Sequence, residues 1–211
     1  MQQLQQLALA GGLAWASGIR LYAAIFIVGL LGRFGYVHLQ ADLLVLEHNW
    51  VLGASGVMLV VEFLADKVPG FESLWDSIHT FIRIPAGALL AWGAMGDSTQ
   101  AAQMAAAILG GMITGGTHLA KSGTRAAINT SPEPFSNWIA SFGEDGVLLG
   151  GLWLVFLHPA VFLCVLVAFL ALTIWLVPKV FRYLRGFWRR LRGVLEPSPE
   201  AAMSRQHLPL G

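Results

Sequence analysis

Charge is scarce in this chain. Asp, Glu, Lys and Arg make up 12% of its 211 residues, about half of the roughly 25% usual for soluble domains. So thin a charged surface excludes an ordinary soluble globule and points to a protein dissolved in lipid. Cysteine is scarcer still. The lone Cys164 lies inside the apolar run Val161–Leu176, which excludes an internal disulfide and leaves a thiol that apolar surroundings keep inert. Neither H-x-x-x-H nor C-x-x-C spacing occurs, so no metal is expected, and no cofactor is expected either. The opening MQQLQQLALA lacks the basic segment of a secretory signal, so the apolar run behind it is expected to stay as a membrane segment.

What the chain has in abundance is apolar sequence. Hydrophobic residues account for 56% of it and mean hydropathy is +0.65. Eight Trp and twenty-four Gly suit interfacial anchoring and close helix contact. Leu7–Leu31 is long enough to cross a bilayer and carries Arg20 within it. Ala41–Trp50 reads as a short interfacial helix. Val51–Val68 is the next apolar segment, closed by Pro69 and Gly70. Phe71–Arg83 is amphipathic, with Glu72, Asp76, His79 and Arg83 on one face. Ile84–Met95 is too short for a full crossing, so it is either half of a broken helix or the end of a kinked span beginning at Phe71. Ala101–Asn129 reads as the central helix. Prolines in Thr130–Pro134 end it. Phe135–Asp145 is again amphipathic, and Val147–Leu157 and Ala160–Val177 are apolar. The expected fold is therefore all-α: a polytopic helical membrane protein with five to six membrane segments and amphipathic re-entrant or interfacial helices.

The membrane domain is expected over 1–178. Residues 179–193 then form a basic amphipathic helix, and 194–211 a disordered tail. Lys179, Arg182, Arg185, Arg189, Arg190 and Arg192 are six of the thirteen Lys and Arg. Directly after a span, they are expected to rest on anionic headgroups at the cytoplasmic face. Lipid is the expected partner there, and nucleic acid is not.

Two stretches repeat. Ser17, Gly18 and Arg20 recur as Ser122, Gly123 and Arg125, and Asn49-Trp50 recurs as Asn137-Trp138. The order suggests an internal duplication with halves at 7–96 and 101–177, and transporters with duplicated halves and interrupted helices bind substrate where the halves meet.

The polar residues inside this apolar chain form the candidate site. In Thr117–Asn129, His118, Lys121, Arg125 and Asn129 share one helical face. Glu62 and Asp66 are four apart and share another. Asp76, His79 and Arg83 form a third stripe; Asn137 and Ser141 share a side with Glu144, beside Asp145. A charge at the bilayer centre costs about 2.5–3.5 kcal/mol or more, so these groups must reach an interface, pair, or line water. Together with Arg20 they are expected to form a substrate or ion pathway. Arg20 and Arg125 are candidates to clamp a phosphate or carboxylate, and Glu62 or Asp66 to exchange a proton or cation.

As a set, ASGIRLYA, VEFLADKVPG followed by WDSIHTFIR, AKSGTR, NTSPEPFSNW and FGEDG resemble a bacterial family of polytopic inner-membrane proteins known only as a domain of unknown function. The similarity spans about Leu7–Pro159. It implies a bacterial inner-membrane location and carries no catalytic assignment. VEFLADK also faintly resembles the acidic motif of a manganese and calcium exchanger family, without that motif's glycine before Asp66 or hydroxyl residue after Lys67.

The leading functional expectation is a transport protein: a carrier, channel or lipid-headgroup translocase acting on an ion or small anionic substrate. An intramembrane serine hydrolase is the alternative, because Gly53-Ala-Ser55-Gly56 resembles the rhomboid G-x-S-G pattern and His79 or His118 could act as base. A metal site from Glu62, Asp66, His79 and His118, and an assembly subunit whose charges only pin helices, complete the alternatives. A homo-oligomer is compatible with all of them.

Overall fold

Arg20 breaks the first helix. A computed structural model of the chain describes residues 2–67, 71–128 and 134–195. In it α1 (Gln2–Arg33) is helical throughout except at Arg20, which takes φ −147° and ψ 90°. An extended residue inside a helix frees carbonyls from their i+4 donors, and the Arg20 side chain leaves the helix at that break. A 3-10 helix (Ala41–Glu47) and α2 (Asn49–Ala65) follow, bent by 64° at the single intervening residue. Next come α3 (Phe71–Ala94), α4 (Gln100–Ile128), α5 (Pro134–Leu157) and α6 (Pro159–Leu195). All regular elements among the described residues are helical.

Several segment expectations merge. Phe71–Arg83 and Ile84–Met95 form one continuous helix with Pro85 inside it. Phe135–Asp145 and Val147–Leu157 are likewise one helix. The expected interfacial helix at Ala41–Trp50 is a 3-10 turn ending at Glu47. The closure at Pro69–Gly70 and the break over Thr130–Glu133 lie outside the described residues. The centre belongs to α1, not to α4 as the sequence suggested, because α1 packs against α2, α3, α4, α5 and the 3-10 helix.

Among the described residues, three helices are long and apolar enough to cross a membrane: Gln2–Arg33, Phe135–Leu157 and Pro159–Leu176. The bent pair Ala41–Glu47 and Asn49–Ala65 would make a fourth if it is one span. This marks a membrane protein, with fewer qualifying segments than the five to six expected. The reason lies in α3 and α4. Their inward faces carry Asp76, His79, Arg83, His118, Lys121 and Arg125, which lowers their apolarity below that of a span.

The described residues up to Ile174 form one compact unit and those from Trp175 onward another. In the first, α1, α3 and α4 approach closely through small residues. Gly18 of α1 faces α4 so tightly that a Cβ there would lie 2.6 Å from both the Thr114 carbonyl oxygen and Thr117 Cβ. Gly87 of α3 gives the same room to the Thr114 hydroxyl, which lies 2.8 Å from the Ala14 and Gly110 carbonyl oxygens. Small residues at such seams are how helices pack where lipid supplies no hydrophobic drive. Trp15 of α1 meets Phe162 of α6 edge to face at 6.0 Å. Otherwise α6 turns Val161, Val165, Val167, Leu172 and Ile174 outward, as a lipid-facing helix does.

In the second unit α6 continues past Pro178 to Leu195, two residues into the expected tail; residues 196–211 lie outside the described residues. Lys179 Nζ sits 3.3 Å above the Trp175 ring, and Arg182 Nε donates to the Pro178 carbonyl at 3.4 Å. Arg185, Arg189, Arg190 and Arg192 lie farther along the same helix.

The tightness of the α1–α4 seam is testable. Gly18→Leu is expected to destabilise the protein by about 1–3 kcal/mol through overpacking, read as a lowered unfolding temperature in mild detergent. Gly116→Ala, where a Cβ meets nothing within 4 Å, is expected to leave it unchanged or slightly raised. Equal behaviour of the two variants would contradict this packing.

Candidate functional site

The break at Arg20 opens α1 at the level where the charged faces of four other segments arrive. The site is built outward from it. Arg20 is fully buried. Its Nη2 lies 2.9 Å from Asp66, just past the end of α2, and its Nε 2.8 Å from Asp145 of α5. Nη2 also donates to the Ser141 hydroxyl at 2.8 Å. The Ile19 carbonyl at the break accepts from Lys121 Nζ of α4 at 3.2 Å and from Arg83 Nη1 of α3 at 3.3 Å. Two cations thus occupy an oxygen that an unbroken helix would have kept for itself.

Arg83 makes the second cluster. It contacts Glu62 of α2 at 2.5 Å and Asp76, one to two turns back on α3, at 3.1 Å. The third cluster is Arg125 with Glu144. Arg125 Nε and Nη2 reach the two Glu144 oxygens at 2.7 and 3.0 Å, a fork-on-carboxylate geometry that adds direction to charge. Its Nη1 donates to the Asn137 backbone carbonyl at 3.1 Å.

Lys121 joins the three. Its ammonium lies 3.7 Å from Asp66, 3.8 Å from Asp76 and 3.6 Å from Glu144, one carboxylate from each cluster. Among the described residues, four cations and five carboxylates thus form one connected ion-pair network with Lys121 at its branch point. Arg20, Arg83, Glu62 and Asp66 are wholly buried; Glu144 and Asp145 keep side-chain exposures of 17% and 30%. Access to the network is therefore from the α5 side.

The remaining expected residues fall at its edges. His118 bridges: Nδ1 lies 3.3 Å from Arg83 Nη1, and Nε2 2.7 Å from the Thr80 hydroxyl. His79 is buried yet turned to aromatic neighbours. Its ring stacks on Trp75 at 3.9 Å, meets Tyr22 edge-on, and bonds the Trp75 carbonyl at 2.8 Å. Asn137 enters through its backbone, while its buried Oδ1 finds no hydrogen-bond partner among the described residues. Asn129 lies outside the described residues. Arg20 and Arg125, expected to clamp an external anion, are both committed to internal carboxylates. Sequence reasoning missed Thr80, the Ile19 carbonyl and Lys67. Lys67 sits over the Phe63 ring at 3.1 Å, beside Phe142 at 5.1 Å. Of these only Lys67 left a visible trace, as a cation directly after Asp66.

Chemically, the cluster is suited to holding and exchanging charge. Glu62 Oε2 is buried with no hydrogen-bond donor among the described residues, whereas both Asp66 oxygens and Asp76 Oδ1 are held by ion pairs alone, to Arg20, Lys121 and Arg83. No three His, Cys, Asp or Glu side chains among the described residues gather as a metal would require. Ser55, the candidate nucleophile, directs its hydroxyl to the Val51 and Leu52 carbonyls at 2.7 and 3.3 Å, as a helix-packed serine does.

The fold and site together define a helical membrane protein organised around a buried charged core. Residues 7–179 match the family described as Domain of unknown function (DUF4126), and the chain belongs to that family. The match runs past Pro159, where the motif resemblance ended, into α6. No curated protein and no solved structure matches the chain.

The third cluster offers a clean double-mutant cycle. Arg125→Met and Glu144→Leu are each expected to destabilise the protein by about 1.5–3 kcal/mol, because each removes the two charge-assisted bonds of the fork while Glu144 keeps Lys121 at 3.6 Å and Arg125 keeps the Asn137 carbonyl. The double variant is expected to lose less than the sum, read as a coupling energy from unfolding in detergent. Additive losses below about 1 kcal/mol would mean the pair is screened like a surface bridge.

Proposed function

We propose that this protein is a membrane transport protein that passes a proton or small cation through the buried charged core. One observation carries the reading: the connected network of four cations and five carboxylates at the interruption of α1. Stability alone does not account for it. Replacing buried ion pairs with well-packed apolar residues is often neutral or stabilising, and ionisable groups within membrane segments mark ion and substrate paths. Glu62, whose Oε2 has no partner among the described residues, and Asp66, held by Arg20 and Lys121 through ion pairs alone, are the groups that would take up and release the transported cation. The expected pathway of Arg20, Glu62, Asp66, Asp76, His79, Arg83, His118, Lys121, Arg125, Asn129, Asn137, Ser141, Glu144 and Asp145 is retained in this proposal, with His79 at its edge.

The helix order supports two related triplets, α1–α3 and α4–α6. Each opens on a long helix bearing the Ser-Gly-x-Arg motif, and each motif arginine finds a carboxylate on or just beyond the next long helix: Arg20 on Asp66, Arg125 on Glu144. Asn49-Trp50 and Asn137-Trp138 stand at or near the starts of those second helices. In this reading α3 and α4 also traverse, their charged faces inward, giving five to six segments. The bacterial inner membrane is the proposed location, with the basic end of α6 on anionic headgroups at the cytoplasmic face.

Purified protein in liposomes, driven by imposed pH, Na⁺ and K⁺ gradients, tests the proposal. Dye-reported flux above protein-free vesicles is expected, falling at least tenfold in Asp66→Asn and Glu62→Gln. Arg33→Gln, outside the network, is expected to leave it intact. Absence of flux for every ion, or flux indifferent to Asp66 and Glu62, would overturn it.

A further inference from the structure

A second feature stands beside the charged core. A groove of about 480 Å³ runs between α1, α4, α5 and α6. Its walls are almost entirely apolar, including Trp15, Val147, Leu154, Phe162 and Phe169. The volume lies within the roughly 300–1,000 Å³ of ligand pockets. Charge enters the wall at one place, where Lys121 and Glu144 of the network form part of it.

Two polar groups on this wall have unused capacity. Lys121 has three N–H donors and among the described residues makes one hydrogen bond, to the Ile19 carbonyl. Its three carboxylates stand at 3.6–3.8 Å, beyond good hydrogen-bond distance. Thr117, also on the wall, is 2% exposed and its hydroxyl has no hydrogen-bond partner among the described residues. A buried polar group without a partner is destabilising, so a ligand acceptor beside a long apolar trough would satisfy both. The surroundings name the occupant. Two groove helices, α5 and α6, are candidate membrane spans that turn most of their apolar side chains outward, so the medium bathing the groove is hydrocarbon.

We propose that this groove binds one acyl chain of a membrane phospholipid, with the ester carbonyl at its head accepting from Lys121 and Thr117. The lipid would then touch the branch point of the ion-pair network directly. This inference goes beyond the transport reading and stands or falls separately, since occupancy is measured without any gradient.

Gly150 lines the groove, and a Cβ there meets nothing within 4 Å, so a large side chain can fill the space without displacing helices. Gly143, equally open, is not on the groove wall and serves as the control. The full chain is placed in phosphatidylethanolamine and phosphatidylglycerol vesicles containing a photoreactive phospholipid labelled in one acyl chain, irradiated, and mapped by peptide mass spectrometry. Crosslinks are expected on the α5 and α6 residues of the groove. They should fall at least tenfold in Gly150→Phe, severalfold in Thr117→Val, and stay unchanged in Gly143→Phe, with unfolding temperatures checked for each. Should Gly150→Phe fail to fold, Val165→Trp fills the same groove from α6. Crosslinks spread evenly over the outer faces, crosslinks insensitive to the filled groove, or native mass spectra holding detergent, free fatty acid or a second copy instead of phospholipid would each overturn the proposal.

Discussion

Lys121 is the constraint on which the rest of the charged core depends. Three clusters, each a cation with its carboxylates, arrive from different helices, and one ammonium group lies within 3.8 Å of an acid from each. Among the described ion pairs, removing Lys121 separates the network into Arg20 with Asp66 and Asp145, Arg83 with Glu62 and Asp76, and Arg125 with Glu144. A lysine suits this position better than an arginine. Its charge is compact and its donors rotate freely, so one ammonium group can face three acids at similar distances without the fixed directions of a guanidinium fork.

The break in α1 makes that arrangement possible. A continuous helix would bond its own Ile19 carbonyl and direct residue 20 along its surface. Extended geometry at Arg20 releases the carbonyl to Arg83 and Lys121 and sends the guanidinium towards Asp66, Asp145 and Ser141. Non-helical backbone inside a membrane segment persists where protein satisfies it, and here the satisfying groups are the charged residues themselves. Packing and polarity are therefore one device. Gly18, two residues before the break, brings α4 close enough for its lysine to reach across.

Much of this was legible in the sequence, for physical reasons. Hydropathy exposed the membrane class. Helical spacing placed His118, Lys121 and Arg125 on one face, and the cost of charge in oil implied that Glu62, Asp66, Glu144 and Asp145 would find the basic residues. What spacing could not convey was pairing across helices. Arg20 read as one charge in a span, because nothing local announces that a long-range contact with Asp66 will override helix propensity. His79 shared a face with Asp76 and Arg83, yet its ring stacks on Trp75, since imidazole finds aromatic packing where guanidinium cannot give up a carboxylate. The merging of Phe135–Asp145 with Val147–Leu157 was hidden for a similar reason. The Glu144–Asp145 pair looks like a helix boundary until both acids are seen to face cations.

The most direct test of this account is the position of one nitrogen. The chain has three lysines, so the Lys121 ¹⁵Nζ signal can be assigned by substitution in hydrated bilayers, and its dipolar couplings to side-chain carboxylate carbons measured by solid-state NMR. The account predicts couplings to three carboxylates at once, those of Asp66, Asp76 and Glu144, each lost on the matching amide substitution. A Lys121 signal coupled to none of them, exchanging freely with water as a snorkelling side chain does, would contradict it.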